Sequence, residues 1–175
     1  MKIIKTKFKN LNIIINKKFK DNRGFFLELF KSKSLNKKLP FFCVSSSKKN
    51  VVRGLHLQRK KAQAKYISVL EGRILDVVVD LRKGSKTFGK HFKIVLSKKN
   101  SKSLYIPAGF AHGFCGLDKE NIVIYGCSNY RDKNSEIGLQ WNDKDLKITW
   151  PINRPLLSKK DKNNLSFLDY KKRFN

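Results

Sequence analysis

The chain has 175 residues, 40% of them hydrophobic and 11% aromatic, which suits one folded unit over residues 1–175 with a real core and excludes a disordered chain. No apolar run approaches the roughly 18 residues of a membrane span, and no long apolar stretch follows the basic start MKIIKTKFKN, so neither a membrane protein nor a secretory signal is expected. The formal net charge of +27 raises nucleic-acid binding, but 32 of the 40 basic residues are lysines spread from end to end; compositional bias accounts for this better than steering of an anionic substrate, and a nucleic-acid face ranks last.

In chain order the sequence reads as short β-like runs broken by turn residues. Leu11 to Asn16 is the first run, and Leu27 to Lys38 is a candidate short helix. Phe41 to Ser47 and Val51 to Gln58 follow as strands. Lys65 to Leu70 and Arg73 to Leu81 flank Glu71-Gly72, a hairpin turn. The second of these, RILDVVVDL, mixes β-branched residues with two aspartates, as a barrel strand does. His91 to Leu96 alternates, with Phe92, Ile94 and Leu96 on one side and His91 pointing outward. Ser103 to Ile106 ends at Pro107-Ala108-Gly109, and His112 to Leu117 and Asn121 to Tyr130 complete the strands. A second short helix is expected within Lys159 to Asp169, and the C-terminal NLSFLDYKKRFN reads as a tail that docks or frays. Many short strands at regular spacing predict an all-β sandwich, barrel or jelly roll.

The polar residues narrow the chemistry. Cys43, Cys115 and Cys127 are an odd count with no CxxC pair, so free thiols in a reducing cytoplasm are expected. The three histidines form no HxH pair, and with His91 outward only His56 and His112 remain for an interior, a poor set for zinc or iron. VVRGLHLQ, residues 51 to 58, places Arg53 and His56 on one strand. By period two they point to opposite faces, and only a twist or bulge brings both to one cavity. PAGFAHGF, residues 107 to 114, sets His112 among glycines that permit close approach of a ligand or a backbone, as a tight barrel corner also does.

Taken together the motifs resemble the dTDP-4-dehydrorhamnose 3,5-epimerase family of the cupin superfamily. DNRGFFLE (21 to 28), VVRGLHLQ (51 to 58), AQAKYISVLEGRILDVVVDLRKGSKTFG (62 to 89), LYIPAGFAHGF (104 to 114), WNDKDLKITWP (141 to 151) and LLSKKD (156 to 161) occur in family order across nearly the whole chain. The resemblance implies a cupin-type jelly-roll β-barrel with short peripheral helices. It implies a homodimer, no metal and no cofactor. The implied substrate is a nucleotide-diphosphate 4-keto-6-deoxy sugar, inverted at C3 and C5 through an enolate. That chemistry needs a base, a stabiliser for the oxyanion and an acid on the opposite face.

Residue by residue, the resemblance implies that His56 is the base, Asp161 its carboxylate partner, Lys65 the stabiliser at the keto oxygen and Tyr125 the acid. Arg23 and Arg53 fall at diphosphate positions, His112 at a pocket position and Glu28 at one that touches the nucleotide base, and Phe26 belongs to the substrate-binding set. The chain departs from the family in two places. Phe41 and Cys43 stand where a Q-x-N-x-S pattern has glutamine and asparagine. Arg131 stands where a second tyrosine stacks on the base, with Tyr130 one residue earlier. Both departures lie on the nucleotide side. A related 3-epimerase or keto-isomerase, acting on a 4-keto sugar carried by a different nucleotide, therefore stays open as the alternative.

Overall fold

The computed structural model describes residues 1–174. Strands are numbered in chain order. A six-stranded sheet runs β1 (Lys2–Lys5), β2 (Asn12–Ile15), β10 (Lys102–Ile106), β7 (Lys65–Glu71), β12 (Glu120–Cys127), β5 (Phe41–Lys48). A five-stranded sheet runs β13 (Glu136–Gly138), β6 (Val52–Gln58), β11 (Phe110–Gly116), β8 (Arg73–Asp80), β9 (His91–Ser97). The hairpin of β3 (Lys18–Asp21) and β4 (Gly24–Leu27) pairs only with itself. Among the described residues the helices are α1 (Ser32–Leu35), α2 (Lys159–Lys162) and α3 (Phe167–Phe174), with a 3-10 turn at Lys133–Ser135. All strand pairs are antiparallel, and the two large sheets face each other as a cupin-type jelly roll.

The alternation rule explains what fills the space between the sheets. On β8, Ile74 and Val78 point inward and join Ile67, Val69, Leu104, Phe114 and Val123 in an apolar cluster. Val77 and Val79 point the other way, into a second cluster with Leu55, Trp150, Phe167 and Tyr170. A strand covered on both faces reads as a continuous apolar run, which is why RILDVVVDL lacks clean alternation. His91 faces away from the inner cluster, as its parity requires, and its Nδ1 lies 3.0 Å from the Leu146 carbonyl oxygen.

Most strands fall within a residue or two of their expected bounds. The C-terminal segment differs from the single expected helix. It forms α2 and α3, separated at Asn164, whose buried amide reaches the carbonyls of Gly54 and Leu139. The tail docks, with Phe167 and Tyr170 buried in the outer cluster. The helix expected within residues 27–38 shrinks to the single turn α1.

One irregularity positions the functional residues. Between β6 and β11, His56 pairs with His112 and Arg53 with Phe114, so three steps on β6 match two on β11. The extra residue is a β-bulge, and it reverses the parity that would send Arg53 and His56 to opposite faces. Gly54 occupies it with φ of +118°. A Cβ at Gly54 would lie 2.6 Å from Gly113 Cα and 2.7 Å from the His112 carbonyl oxygen, both backbone atoms that cannot step aside. Gly54→Ala should therefore cost about 3 kcal/mol of stability, combining backbone strain with the clash. An unchanged urea midpoint would show that the bulge accepts a side chain.

Candidate active site

A cavity of about 440 Å³ opens between the two sheets. That is enough room for a small ligand. His56, Arg53 and His112 line one wall from the five-stranded sheet. Tyr125, Lys65, Cys43 and Cys127 line the other from the six-stranded sheet. Asp161, Ser158 and Lys160 close the rim from the α2 region, joined there by Arg131 and Glu136.

His56 and Asp161 form the tightest pair, with Nε2 2.6 Å from Oδ1. Ser158 caps α2 by accepting the Asp161 backbone N–H, which fixes where the aspartate sits. The cap and the dyad thus use the same short helix. Burial by itself raises the Asp161 carboxyl, but hydrogen bonds from His56, Ser158 and Asn164 outweigh it and hold the group below the ordinary 3.8. The aspartate therefore stays ionised and accepts from Nε2–H, which leaves Nδ1 as the basic nitrogen of His56.

Tyr125 stands opposite this dyad. Burial pushes its phenol up, so it remains protonated at neutral pH, and its hydroxyl sits 2.9 Å from Ser45 Oγ. Burial lowers the Lys65 ammonium, while nearby Cys127, Glu136, Cys43 and Asp76 partly restore it. Among the described residues Lys65 makes no ion pair. His112 packs edge-on against the Tyr125 ring, and its Nε2 lies 2.8 Å from Asp76 Oδ2. Arg53 is held by Ser47 Oγ and the Ser46 carbonyl.

At the rim, Glu136 takes Arg131 on one oxygen at 2.9 Å and Lys160 on the other at 2.5 Å. Burial alone raises the Glu136 carboxyl, and these two cations bring it below its usual range. With Arg53 and Lys65 they give the cavity a cationic lining suited to phosphate oxygens. No group of three or more His, Cys, Asp or Glu side chains among the described residues is arranged to hold a metal.

The structure thus gathers His56, Asp161, Lys65, Tyr125, Arg53, His112 and Arg131 around one cavity. It does not bring Arg23, Phe26 or Glu28 there. Arg23 lies beside the turn of the β3–β4 hairpin, 90% exposed and paired with Asp21. Phe26 is 67% exposed on the same hairpin, and Glu28 pairs with Lys31. Tyr130 is also exposed, its ring tilted against that of Phe41 with 5.8 Å between centroids, and it is Phe41 that lines the cavity. Sequence reasoning missed Asp76, Glu136 and Lys160. Asp76 carried a readable signal: a carboxylate in the middle of a strand, on the same side as Ile74 and Val78.

Comparison with known proteins fits this geometry. The family model described as dTDP-4-dehydrorhamnose 3,5-epimerase matches residues 5–169. The chain belongs to this family. A dTDP-4-dehydrorhamnose 3,5-epimerase of Shigella flexneri is 43% identical, with 97% of each chain covered. The crystal structure of the epimerase from Elizabethkingia anophelis superposes with a TM-score of 0.89 at 42% identity, covering 97% of both chains. The epimerase of Legionella pneumophila, solved in complex with dTDP-4-keto-L-rhamnose, superposes with a TM-score of 0.89 at 39% identity, covering 93% of this chain and 90% of that one. Within this epimerase-family chain the cavity holds several groups shifted from their ordinary values, Asp161, Glu136, Lys65 and Tyr125 among them.

The Asp161 carboxylate stabilises the fold fully above about pH 3.8, and that contribution is lost as pH falls through its lower folded value. Asp161→Asn should therefore reduce stability at neutral pH by about 1–3 kcal/mol. The deficit should shrink in acid. Urea unfolding at neutral pH and at about pH 3 measures both; a deficit independent of pH would mean that the charge of Asp161 contributes nothing.

Proposed function

We propose that this protein is a cofactor-independent epimerase that inverts C3 and C5 of a dTDP-4-keto-6-deoxy sugar, in the synthesis of a deoxysugar such as dTDP-L-rhamnose. The observation that carries the reading is the placement of a base and an acid on opposite sheets. His56, with its tautomer set by Asp161, faces one side of the cavity, and the protonated Tyr125 faces it from the other.

A C–H beside a ketone is weakly acidic, and removing its proton places negative charge on the former carbonyl oxygen. His56 takes that proton through Nδ1, and the imidazolium that results is stabilised by the Asp161 carboxylate. Lys65, a cavity cation that makes no ion pair among the described residues and shares the Tyr125 wall, meets the enolate oxygen. Tyr125 returns a proton to the opposite face of the carbon, which inverts it. The same cycle on either side of one ketone inverts both carbons. Arg53 and the Arg131–Glu136–Lys160 cluster receive the diphosphate. The three free cysteines fit a reducing cytoplasm as the place of work.

Arg23, Phe26 and Glu28 lie outside the cavity of their own chain. A homodimer reconciles their position with a binding role, because an exposed hairpin bearing Phe19, Phe25 and Phe26 can be covered by a second copy and reach its cavity. On this reading Arg23→Ala weakens dTDP binding about tenfold, by the loss of a charged hydrogen bond. Calorimetric titration with dTDP reads it, and unchanged affinity would remove Arg23 from the site.

A different nucleotide is the second reading, favoured by the rim. The Phe41–Tyr130 ring pair replaces an amide by an aromatic surface, and Arg131 is engaged by Glu136 instead of free to stack. A buried amide that reads a base by hydrogen bonds is not replaced in kind by phenylalanine. Titration with UDP, GDP and CDP beside dTDP distinguishes the two.

Proton NMR of dTDP-4-keto-6-deoxyglucose with the protein in deuterated water tests the reaction directly. Deuterium should enter at C3 and C5, and at C3 alone if the protein is a single-site epimerase. His56→Ala should slow exchange by at least about a thousandfold while dTDP binding persists. Tyr125→Phe should leave exchange detectable without net inversion. Near-normal turnover in His56→Ala would assign the base elsewhere.

A further inference from the structure

Two thiols share the cavity wall with the proposed acid and oxyanion stabiliser. On the six-stranded sheet, Lys65 pairs with Cys127 and Cys127 with Phe41, while in the next row on the same face Ile67 pairs with Tyr125 and Tyr125 with Cys43. Cys43 and Cys127 are thus diagonal neighbours across β5 and β12. The parallel diagonal, one row along, joins Tyr125 to Ser45, with 2.9 Å between their hydroxyls. Both cysteines line the cavity, so the diagonal neighbours open on the same space.

We propose that Cys43 and Cys127 are a redox-active pair whose disulfide, formed inside the cavity, switches this site off reversibly.

The two thiols are unequal in a way that suits the roles of attacking and resolving sulfur. The Cys127 hydrogen bond, against the effect of burial and helped by Lys65 and Arg131, brings Cys43 down to about 7, so a large share is thiolate at neutral pH. Cys43 is also exposed, on an edge strand. Cys127 is shifted upward by the same hydrogen bond and by burial, and it keeps its proton. Cys115 lies in the core with its thiol pushed up to about 11 by burial, so it does not compete.

The oxidant is a hydroperoxide. The Cys43 thiolate attacks a peroxide oxygen, the O–O bond breaks, hydroxide leaves and a sulfenic acid forms. The Cys127 sulfur then attacks the Cys43 sulfur. The S–S bond forms, the S–O bond breaks, and the departing hydroxide takes the Cys127 proton as water. Two thiols lose two electrons to one peroxide, and a dithiol reductant reverses the change. The bond acts on the site in two ways. It ties β5 to β12 beside Tyr125, and it removes the thiolate charge that supports the Lys65 ammonium. The effect on turnover rests on the proposed function of the cavity; formation of the bond does not.

Intact mass spectrometry, peptide mapping and turnover, before and after hydrogen peroxide, test the pair. The chain should lose the mass of two hydrogens, a Cys43–Cys127 cross-link should appear, and turnover should fall by about tenfold or more. Dithiothreitol should restore both. Cys127→Ser should instead gain oxygen at Cys43, and Cys115→Ser should still form the bond. Added oxygen at Cys43 of the unaltered chain with Cys127 left free, or a Cys43 link between two copies, would overturn the proposal. A cross-link that leaves turnover unchanged would overturn the switch. Absence of turnover in the reduced protein would instead refute the epimerase reading, with the mass data still deciding whether the bond forms.

Discussion

The close approach of Gly54 on β6 to Gly113 on β11 is the constraint on which the site depends. A regular strand would alternate Arg53 and His56 across its two faces. The extra residue places both inside, and only glycine fits where the backbone passes this close to its neighbour. The carbonyl of Gly54 also accepts from Asn164, the residue that separates α2 from α3. Asp161 sits on α2, three residues earlier, and meets His56 from there. One irregular turn of backbone thus aims the arginine, the histidine and, through Asn164, the helix that carries the aspartate.

The second organising feature is division of labour between the sheets. The five-stranded sheet carries His56, Arg53 and His112, and the six-stranded sheet carries Tyr125 and Lys65. An inversion at carbon needs proton removal from one face and delivery to the other, and a sandwich with a cavity between its layers supplies two facing walls without any moving part. Stiff antiparallel strands hold such groups more precisely than loops do. The large positive charge takes little part. Among the described residues the lysines that line the cavity are Lys65 and Lys160, out of 32 in the chain, and both have their environment set locally, by burial and by Glu136.

Much of the architecture was legible because buried strands leave a pattern. Phe92, Ile94 and Leu96 alternate on β9 as expected. The hairpin expected at Glu71-Gly72 does not form: β7 and β8 lie in different sheets, and Gly72, with φ of +73°, turns the chain from one sheet to the other, a distinction that local turn signals do not carry. Strands β1, β3 and β4 were not legible. KIIK and KFKD are exposed, so burial imposes no apolar alternation on them. The rim cluster of Arg131, Glu136 and Lys160 was equally hidden, since three charged residues in a chain this basic carry no signal until the fold brings them together.

The sequence alone determined the inventory: the strand periods, the glycines that permit tight backbone, the ordered motifs of an epimerase family, and the residue types able to act as base, acid and oxyanion partner. Only the tertiary structure decided which of them meet. It reversed the apparent opposition of Arg53 and His56, because a bulge depends on the register with a neighbouring strand. It left Arg23, Phe26 and Glu28 on a hairpin outside their own cavity, and it set Cys43 beside Cys127, 84 positions apart in the chain. The physical reason is the same in each case. Local periodicity says which way a side chain faces within its own strand, but pairing between distant strands says what it faces.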